Sequence, residues 1–216
     1  MVVKQAKFEE RDGTMRRRVF DLLASLGGLL VAGVLVIAGA LLMWGVSYTN
    51  SSVHNQLAEQ QIYFPSASAF AHPDGTEITV GMRPYLLKYA GQEVLTGPQA
   101  EAFADHFIAV HLSEMPYGGV YSKVSAAARA AKPGSPAALK LAALEQTVFQ
   151  GTTLRGLLLE AYGFSTLGLI ALWAGIAAFI LAGLMLLLVG FGFWHSRRVK
   201  ADAELLSHQT GKKLAA

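Results

Sequence analysis

Two long stretches of this sequence contain no Asp, Glu, Lys, Arg or His, and they constrain its fold more than any other feature. The first runs from Leu22 to Val53 and the second from Ala161 to Trp194. The densest part of the first, residues 22–46, would form a helix of about 37 Å at about 1.5 Å per residue. Because the hydrocarbon core of a bilayer is about 30 Å thick, each stretch is long enough to cross it.

The composition agrees with a membrane protein. Hydrophobic residues make up 53% of the chain and charged residues 15%, whereas a soluble domain carries about 25% charged residues. Aromatic residues such as Trp44, Tyr48, Phe164 and Trp194 lie near the ends of the two stretches, where an interfacial belt would form. A cleaved signal peptide is the alternative for the first stretch, but its apolar run exceeds the roughly 7 to 15 residues of a signal-peptide core.

The distribution of charge predicts the topology. Residues 1–18 carry six Lys or Arg against three acids, residues 195–216 carry five against two, and residues 49–160 carry seven against nine. By the positive-inside rule both termini are cytoplasmic in the plasma membrane. The predicted segments are a cytoplasmic tail (1–18), a first transmembrane helix (19–47), an extracytoplasmic helical domain (48–164), a second transmembrane helix (165–194) and a cytoplasmic tail (195–216).

Basic residues flank the predicted spans and are candidates for contact with lipid head groups or a partner. In the tails, a role in setting topology is the simpler explanation, because helices that span a membrane commonly have such flanks. Arg155 lies instead near the predicted outer leaflet, where it would be paired or would contact a lipid phosphate or a partner. These candidates are Arg16, Arg17, Arg18, Arg155, Arg197 and Arg198.

The pattern of caps and breakers predicts that the region between the spans is helical. Thr96-Gly97-Pro98 is typical of a helix start, and a helix beginning near Pro136 has no strong breaker before the second span. The first span is expected to continue through the polar residues 53–62 until Pro65. Residues 76–80 are the one stretch with strand composition, and a single strand makes no sheet. We therefore predict an all-α fold with a two-helix transmembrane hairpin.

Small residues recur along both spans at helical spacing. They would let another helix approach closely, which is the usual basis of helix packing in lipid. Two interpretations remain open: the residues close the hairpin formed by the two spans, or they dock into a homo-oligomer or a larger membrane complex. The candidate packing residues are Gly28, Ala32 and Gly39 in the first span and Gly168, Ala171, Gly175, Ala178 and Ala182 in the second.

Residues suited to catalysis or metal binding are sparse. The chain has no cysteine, and no charged or His residue lies within residues 22–46 or 167–194. His106 and His111 are five residues apart, so they do not share the helix face that a metal pair requires. Glu101 with Asp105 is better explained as a solvated face than as an acid–base pair. We expect no catalytic residue, metal or cofactor, and no nucleic-acid binding, because the basic residues are divided between two tails.

Three runs resemble those of small, uncharacterised actinobacterial two-span membrane proteins. They are residues 60–65 (QQIYFP), residues 89–92 (YAGQ) and residues 150–163 (QGTTLRGLLLEAYG), of which the last is the most specific. The resemblance covers roughly the outer domain and the second span. It implies the same inside–outside–inside topology in an actinobacterial plasma membrane, and it implies no enzymatic activity.

Two functional hypotheses follow. The first is a non-enzymatic accessory or scaffold subunit of a larger plasma-membrane complex, with respiratory complexes as one candidate class. The second is an extracytoplasmic sensing or ligand-binding module that relays to a partner through its transmembrane helices. A third hypothesis, an extracytoplasmic enzyme such as a hydrolase, has less support from the sequence. An accessory subunit should co-purify with its complex, whereas a sensing module should have a pocket in its external domain.

Overall fold

The computed structural model describes residues 17–72 and 78–198 of the chain. In these ranges the chain forms helices and turns and no strand beyond one isolated bridge, so the all-α prediction is confirmed. The α-helices are α1 (Arg17–Gln60), α2 (Ala67–Ala71), α3 (Arg83–Leu86), α4 (Gly97–Phe103), α5 (Ala109–Glu114), α6 (Tyr121–Ala130) and α7 (Pro136–Arg198). Short 3₁₀ turns cover Leu87–Tyr89 and Pro116–Gly119, and a π-helical turn, Ala104–Ile108, joins α4 to α5.

Helices α1 and α7 are long and apolar enough to cross a membrane. They contain 44 and 63 residues, and in the most apolar part of each only 11% and 17% of the residues are buried. The core helix of a soluble protein would be mostly buried instead. Two boundaries predicted from sequence are confirmed: α7 runs without a break from Pro136, and α1 continues through polar residues to Gln60.

The described residues divide into two compact units. The hairpin unit contains those up to Leu41 and those from Ala174 onwards, and the helical unit contains residues 42–173. In the hairpin unit α1 and α7 are antiparallel, because Ser25 faces Gly192 near one end and Gly39 faces Phe179 further along. Large apolar side chains such as Leu30, Ile37 and Leu187 are more than 60% exposed, as expected for side chains that face lipid.

The helical unit has a continuous apolar core. Its fully buried side chains include Met82, Leu86 and Val94, which come from the segments between α2 and α4. Helix α1 contributes Val53 and Leu57, four residues apart on one face, and α7 contributes Leu158. These long helices therefore supply one wall of the core, and the short elements pack against that wall.

The segment before α2 is held by an extended pairing with the segment before α4. Tyr63 and Glu93 form an antiparallel bridge, the Phe64 N–H donates to the Gln92 carbonyl at 2.8 Å, and the Val94 N–H donates to the Ile62 carbonyl at 2.8 Å. Of the stretch with strand composition, residues 76–77 lie outside the described residues and residues 78–80 are not in a strand. Extended pairing thus occurs between residues 62–64 and 92–94 and not in residues 78–80, although the composition of residues 76–80 favoured a strand.

Helix α4 begins where the sequence predicted. Thr96 is its N-cap and forms a capping box with Gln99, in which the Gln99 N–H donates to the Thr96 hydroxyl and the Thr96 N–H donates to the Gln99 side chain. Gly97 follows, and a Cβ added there would collide with the Ser165 side chain. This close approach packs the start of α4 directly against α7.

Candidate functional site

A cavity of about 410 Å³ lies between α1 and α7 in the helical unit. Its volume is in the range of small-ligand sites. We call it the α1/α7 cavity. The α1 side is lined by Tyr48, Thr49, Ser52, Val53, Gln56, Leu57 and Gln60, and the α7 side by Leu154, Leu157, Leu158, Glu160, Ala161 and Phe164.

Helical spacing explains why the lining is amphipathic. Val53 and Leu57 point into the core, so Gln56 and Gln60, also four residues apart, occupy the flank of the same helix. On α7, both Leu158 and Leu157 line the cavity, and Leu158 is 2% exposed whereas Leu157 is 58% exposed. One side of the cavity is therefore rich in amide and hydroxyl groups, and the other is mainly aliphatic and aromatic.

The polar groups of the cavity are hydroxyls and amides, which both donate and accept hydrogen bonds, and one carboxylate, which only accepts. The Gln56 side-chain NH₂ donates to the Ser52 hydroxyl oxygen at 2.9 Å, which leaves the Gln56 carbonyl oxygen free to accept. Glu160 is the one charged residue of the lining, and no Lys, Arg or His lines the cavity. The cavity can thus hold an apolar body and receive hydrogen bonds from a ligand.

A second group of polar side chains surrounds the π-helical turn. Arg155 on α7 donates to the Asp105 carboxylate at 2.7 Å, and both side chains are more than a third exposed. His106 stacks on Tyr85 with ring centroids 3.6 Å apart. The His111 Nδ1–H donates to the Phe107 carbonyl at 2.7 Å. A π-helical turn often marks a functional position, and here it directs Asp105 towards α7.

The two histidines considered from sequence are engaged in separate contacts, one with Tyr85 and the other with its own helix. Across residues 17–72 and 78–198, no three His, Asp or Glu side chains are grouped so as to hold a metal ion. Glu101 is half-buried, and the carboxylate of Asp105 is paired with Arg155. These groups therefore do not converge on one site.

The small residues singled out in the spans lie mostly at contacts between α1 and α7. In the hairpin unit a Cβ on Gly28 would lie 2.8 Å from Val189, and one on Gly39 would lie 3.0 Å from Phe179. Ala32 and Ala182 are 1% and 2% exposed. Gly175 and Ala178 are also buried there. These contacts favour hairpin closure as the use of the seam.

The other two seam residues belong to the helical unit. Gly168 is buried, and Ala171 is half-buried. A Cβ on Gly168 would lie 3.4 Å from the Thr49 side chain. Gly168 therefore allows α7 to pack closely on α1 in this unit also.

The basic residues near the ends of the spans have different placements. Arg16 lies outside the described residues, Arg17 and Arg18 belong to the first turn of α1, and Arg197 and Arg198 end α7. The Arg198 guanidinium lies over the Trp194 ring, 4.1 Å from its centroid. Arg155, proposed from sequence to be paired or to contact a lipid phosphate or a partner, has Asp105 as an ion-pair partner within the chain.

Comparisons with protein-family models, with curated proteins and with solved structures found no match to this chain. Its function must therefore be inferred from its own residues. The α1/α7 cavity is the feature that sequence analysis missed. In the sequence, Gln56 and Gln60 are as consistent with a solvent-exposed helix face as with a binding site. Leu157 and Phe164 lie opposite them only because α7 packs beside α1.

Proposed function

We propose that this protein is a two-span plasma-membrane protein that binds a partly apolar ligand in the α1/α7 cavity and acts by binding rather than by catalysis. The observation that carries this proposal is the cavity itself, with a mainly aliphatic and aromatic wall opposite a wall rich in amide and hydroxyl groups. Such a lining suits a molecule with an apolar body and a polar end. This role corresponds to the ligand-binding hypothesis of the sequence analysis.

The proposed topology places the cavity outside the cytoplasm. In the hairpin unit Ser25 faces Gly192, and Asp21 lies 3.9 Å from His195, so the basic ends of α1 and α7 lie at the same end of that unit. Two basic clusters on one side agree with cytoplasmic termini under the positive-inside rule. Residues 48–164 would then be extracytoplasmic.

Under the same topology we propose that the cavity lies near the outer membrane interface. Tyr48 and Phe164, two aromatic residues of the predicted interfacial belt, both line it. A ligand could then enter from the outer leaflet. Because α1 and α7 line the cavity and also contain the apolar spans, a bound ligand would contact the same helices that a membrane partner would contact.

A cavity-filling variant tests this proposal. Leu157→Trp would fill the opening, and Leu139→Trp, at a 69% exposed position of the same helix, is the matched control. The full-length protein is extracted in mild detergent, and bound small molecules are identified by mass spectrometry. We expect a bound amphiphile in the wild type and in Leu139→Trp, and its loss in Leu157→Trp. The same bound molecules in all three proteins would refute the proposal.

The accessory-subunit role is the second candidate, and a groove on the outer face of α7 favours it. The groove, of about 390 Å³, is lined by Leu186, Leu187, Gly190, Phe191 and Trp194. A Cβ on Gly190 would meet nothing within 4 Å, so hairpin closure does not explain this glycine. A glycine on a helix face that points away from the hairpin permits close approach of another helix.

Native pull-down tests the accessory role. We expect a membrane protein, or a second copy of the chain, to co-purify with the wild type and to be lost with Gly190→Leu. Gly33→Leu, at an equally open position of α1, should retain it. Recovery of the wild-type chain alone as a monomer would refute this second role and leave the ligand-binding proposal standing.

A further inference from the structure

We infer that the α1/α7 cavity selects an amphiphile whose head group is a cationic amine over an anionic amphiphile of the same chain length. This inference rests on the proposed ligand-binding function and specifies the chemistry of the ligand. It depends on three properties of the lining: its net charge, its hydrogen-bonding groups and its exposed apolar surface.

The charge of the lining is negative. Glu160 is the one ionisable carboxylate among the thirteen lining residues, and the lining contains no basic side chain. Within the described part of the chain, the Glu160 side chain forms no ion pair or hydrogen bond, while the nearby Arg155 is paired with Asp105. Glu160 is exposed, so a cationic head group can approach and would be attracted to it, whereas a carboxylate or phosphate head group would be repelled.

The hydrogen-bonding groups of the lining also match an amine. An ammonium group has three N–H donors and no acceptor. The Glu160 carboxylate offers acceptors, and the Gln56 carbonyl oxygen is available because its NH₂ group already donates to Ser52. Gln60 adds a further amide oxygen. The lining therefore contains three side chains that can accept hydrogen bonds from an ammonium group.

The apolar wall supplies a place for the hydrocarbon chain. Leu157 is 58% exposed and Phe164 is 52% exposed, although both line the cavity. An alkyl chain in contact with them would remove this surface from water, which favours binding. The lining therefore offers polar groups for the head group and apolar side chains for the hydrocarbon chain.

Binding of two charged probes tests the inference. Full-length protein in phosphatidylcholine nanodiscs is titrated at neutral pH with dodecylammonium and with dodecanoate, at equal mole fractions in the membrane, and the thermal unfolding midpoint is measured. We expect dodecylammonium to bind about tenfold more tightly, because the Glu160 carboxylate attracts an ammonium group and repels a carboxylate. The shift of the unfolding midpoint of Leu157→Trp in the same nanodiscs gives the background from partitioning of each probe into the lipid.

Two variants test whether the charge of Glu160 causes the preference for the ammonium probe. Glu160→Gln should reduce the tenfold preference to near parity, while Glu145→Gln, a charge change on α7 away from the lining, should retain it. Equal affinity for both probes, or a preference that survives Glu160→Gln, would overturn the inference.

Leu157→Trp distinguishes this failure from failure of the proposed function. If the wild type binds both probes equally and Leu157→Trp binds neither, the cavity is still the site and the head-group inference alone fails. If it leaves both affinities unchanged, the cavity is not the site, and the proposed function fails as well. If the wild type shows the tenfold preference and Leu157→Trp loses both the preference and the binding, the result supports the proposed function and the head-group inference together.

Discussion

The guanidinium group of Arg155 on α7 lies 2.7 Å from the carboxylate of Asp105 in the π-helical turn. The two residues are 50 positions apart in sequence, so this pair joins the short helices of the helical unit to one of its two long helices. Both side chains are partly exposed, which limits the energy of the pair through solvent screening.

We predict that Asp105 and Arg155 are energetically coupled. In a double-mutant cycle with Asp105→Asn and Arg155→Gln, the coupling free energy should be about 0.2 to 1 kcal/mol, the range of exposed pairs. It should fall as salt concentration rises. The free energy of unfolding in detergent at two ionic strengths measures both effects, and strictly additive single-mutant effects would contradict the prediction.

Gly97 is predicted to be intolerant of any side chain. Gly97→Ala should lower the free energy of unfolding by about 1 to 3 kcal/mol, because its Cβ would collide with Ser165. Ser165→Gly should restore part of the loss in the double variant. Gly163→Ala is the control, since a Cβ there meets nothing within 4 Å. Equal effects of the two alanine substitutions would argue against the described packing of α4 on α7.

Closure of the hairpin unit is predicted to depend on Gly28. Gly28→Leu should destabilise the hairpin by about 1 to 3 kcal/mol through overpacking against Val189. Gly33→Leu should be nearly neutral, because that position is open. Unfolding in increasing sodium dodecyl sulfate measures both, and Val189→Ala should partly rescue Gly28→Leu. If the two leucine variants behave alike, the small residues serve some purpose other than closure.

The predicted topology can be checked by cysteine labelling, because the chain contains no cysteine. Ser122→Cys, on the exposed face of α6, should react with a membrane-impermeant maleimide in intact cells. Ser207→Cys, in the predicted cytoplasmic tail, should react only after permeabilisation. The opposite pattern would reverse the orientation, and labelling of both in intact cells would exclude two spans with cytoplasmic ends.

Local signals explain what could be predicted from sequence. The start of α4 follows from the cap and proline of Thr96-Gly97-Pro98, and the length of α7 follows from the lack of a breaker after Pro136. Both features depend only on neighbouring residues. For the same reason the end of α1 before Pro65 was predictable.

The remaining features depend on contacts between distant residues. Nothing near Asp105 in sequence indicates that α4 and α5 are joined by a π-helical turn or that Arg155 is the partner. Nothing in the sequence near Glu160 indicates that it lines a cavity with Gln56 and Gln60, which are about 100 positions away. Periodicity identifies a helix face, but it does not identify what packs on it.

The location of the bound ligand is the most direct test of the proposed function. A neutral dodecyl probe with a diazirine in its alkyl chain, which is independent of the head-group inference, is photolysed with the full-length protein in nanodiscs. Labelled residues are then mapped by peptide mass spectrometry. We predict saturable labelling of residues 52–60 on α1 and 154–164 on α7, lost in Leu157→Trp and retained in Leu139→Trp. Labelling confined to the lipid-facing residues of the spans, with no saturable component in these two segments, would contradict the account.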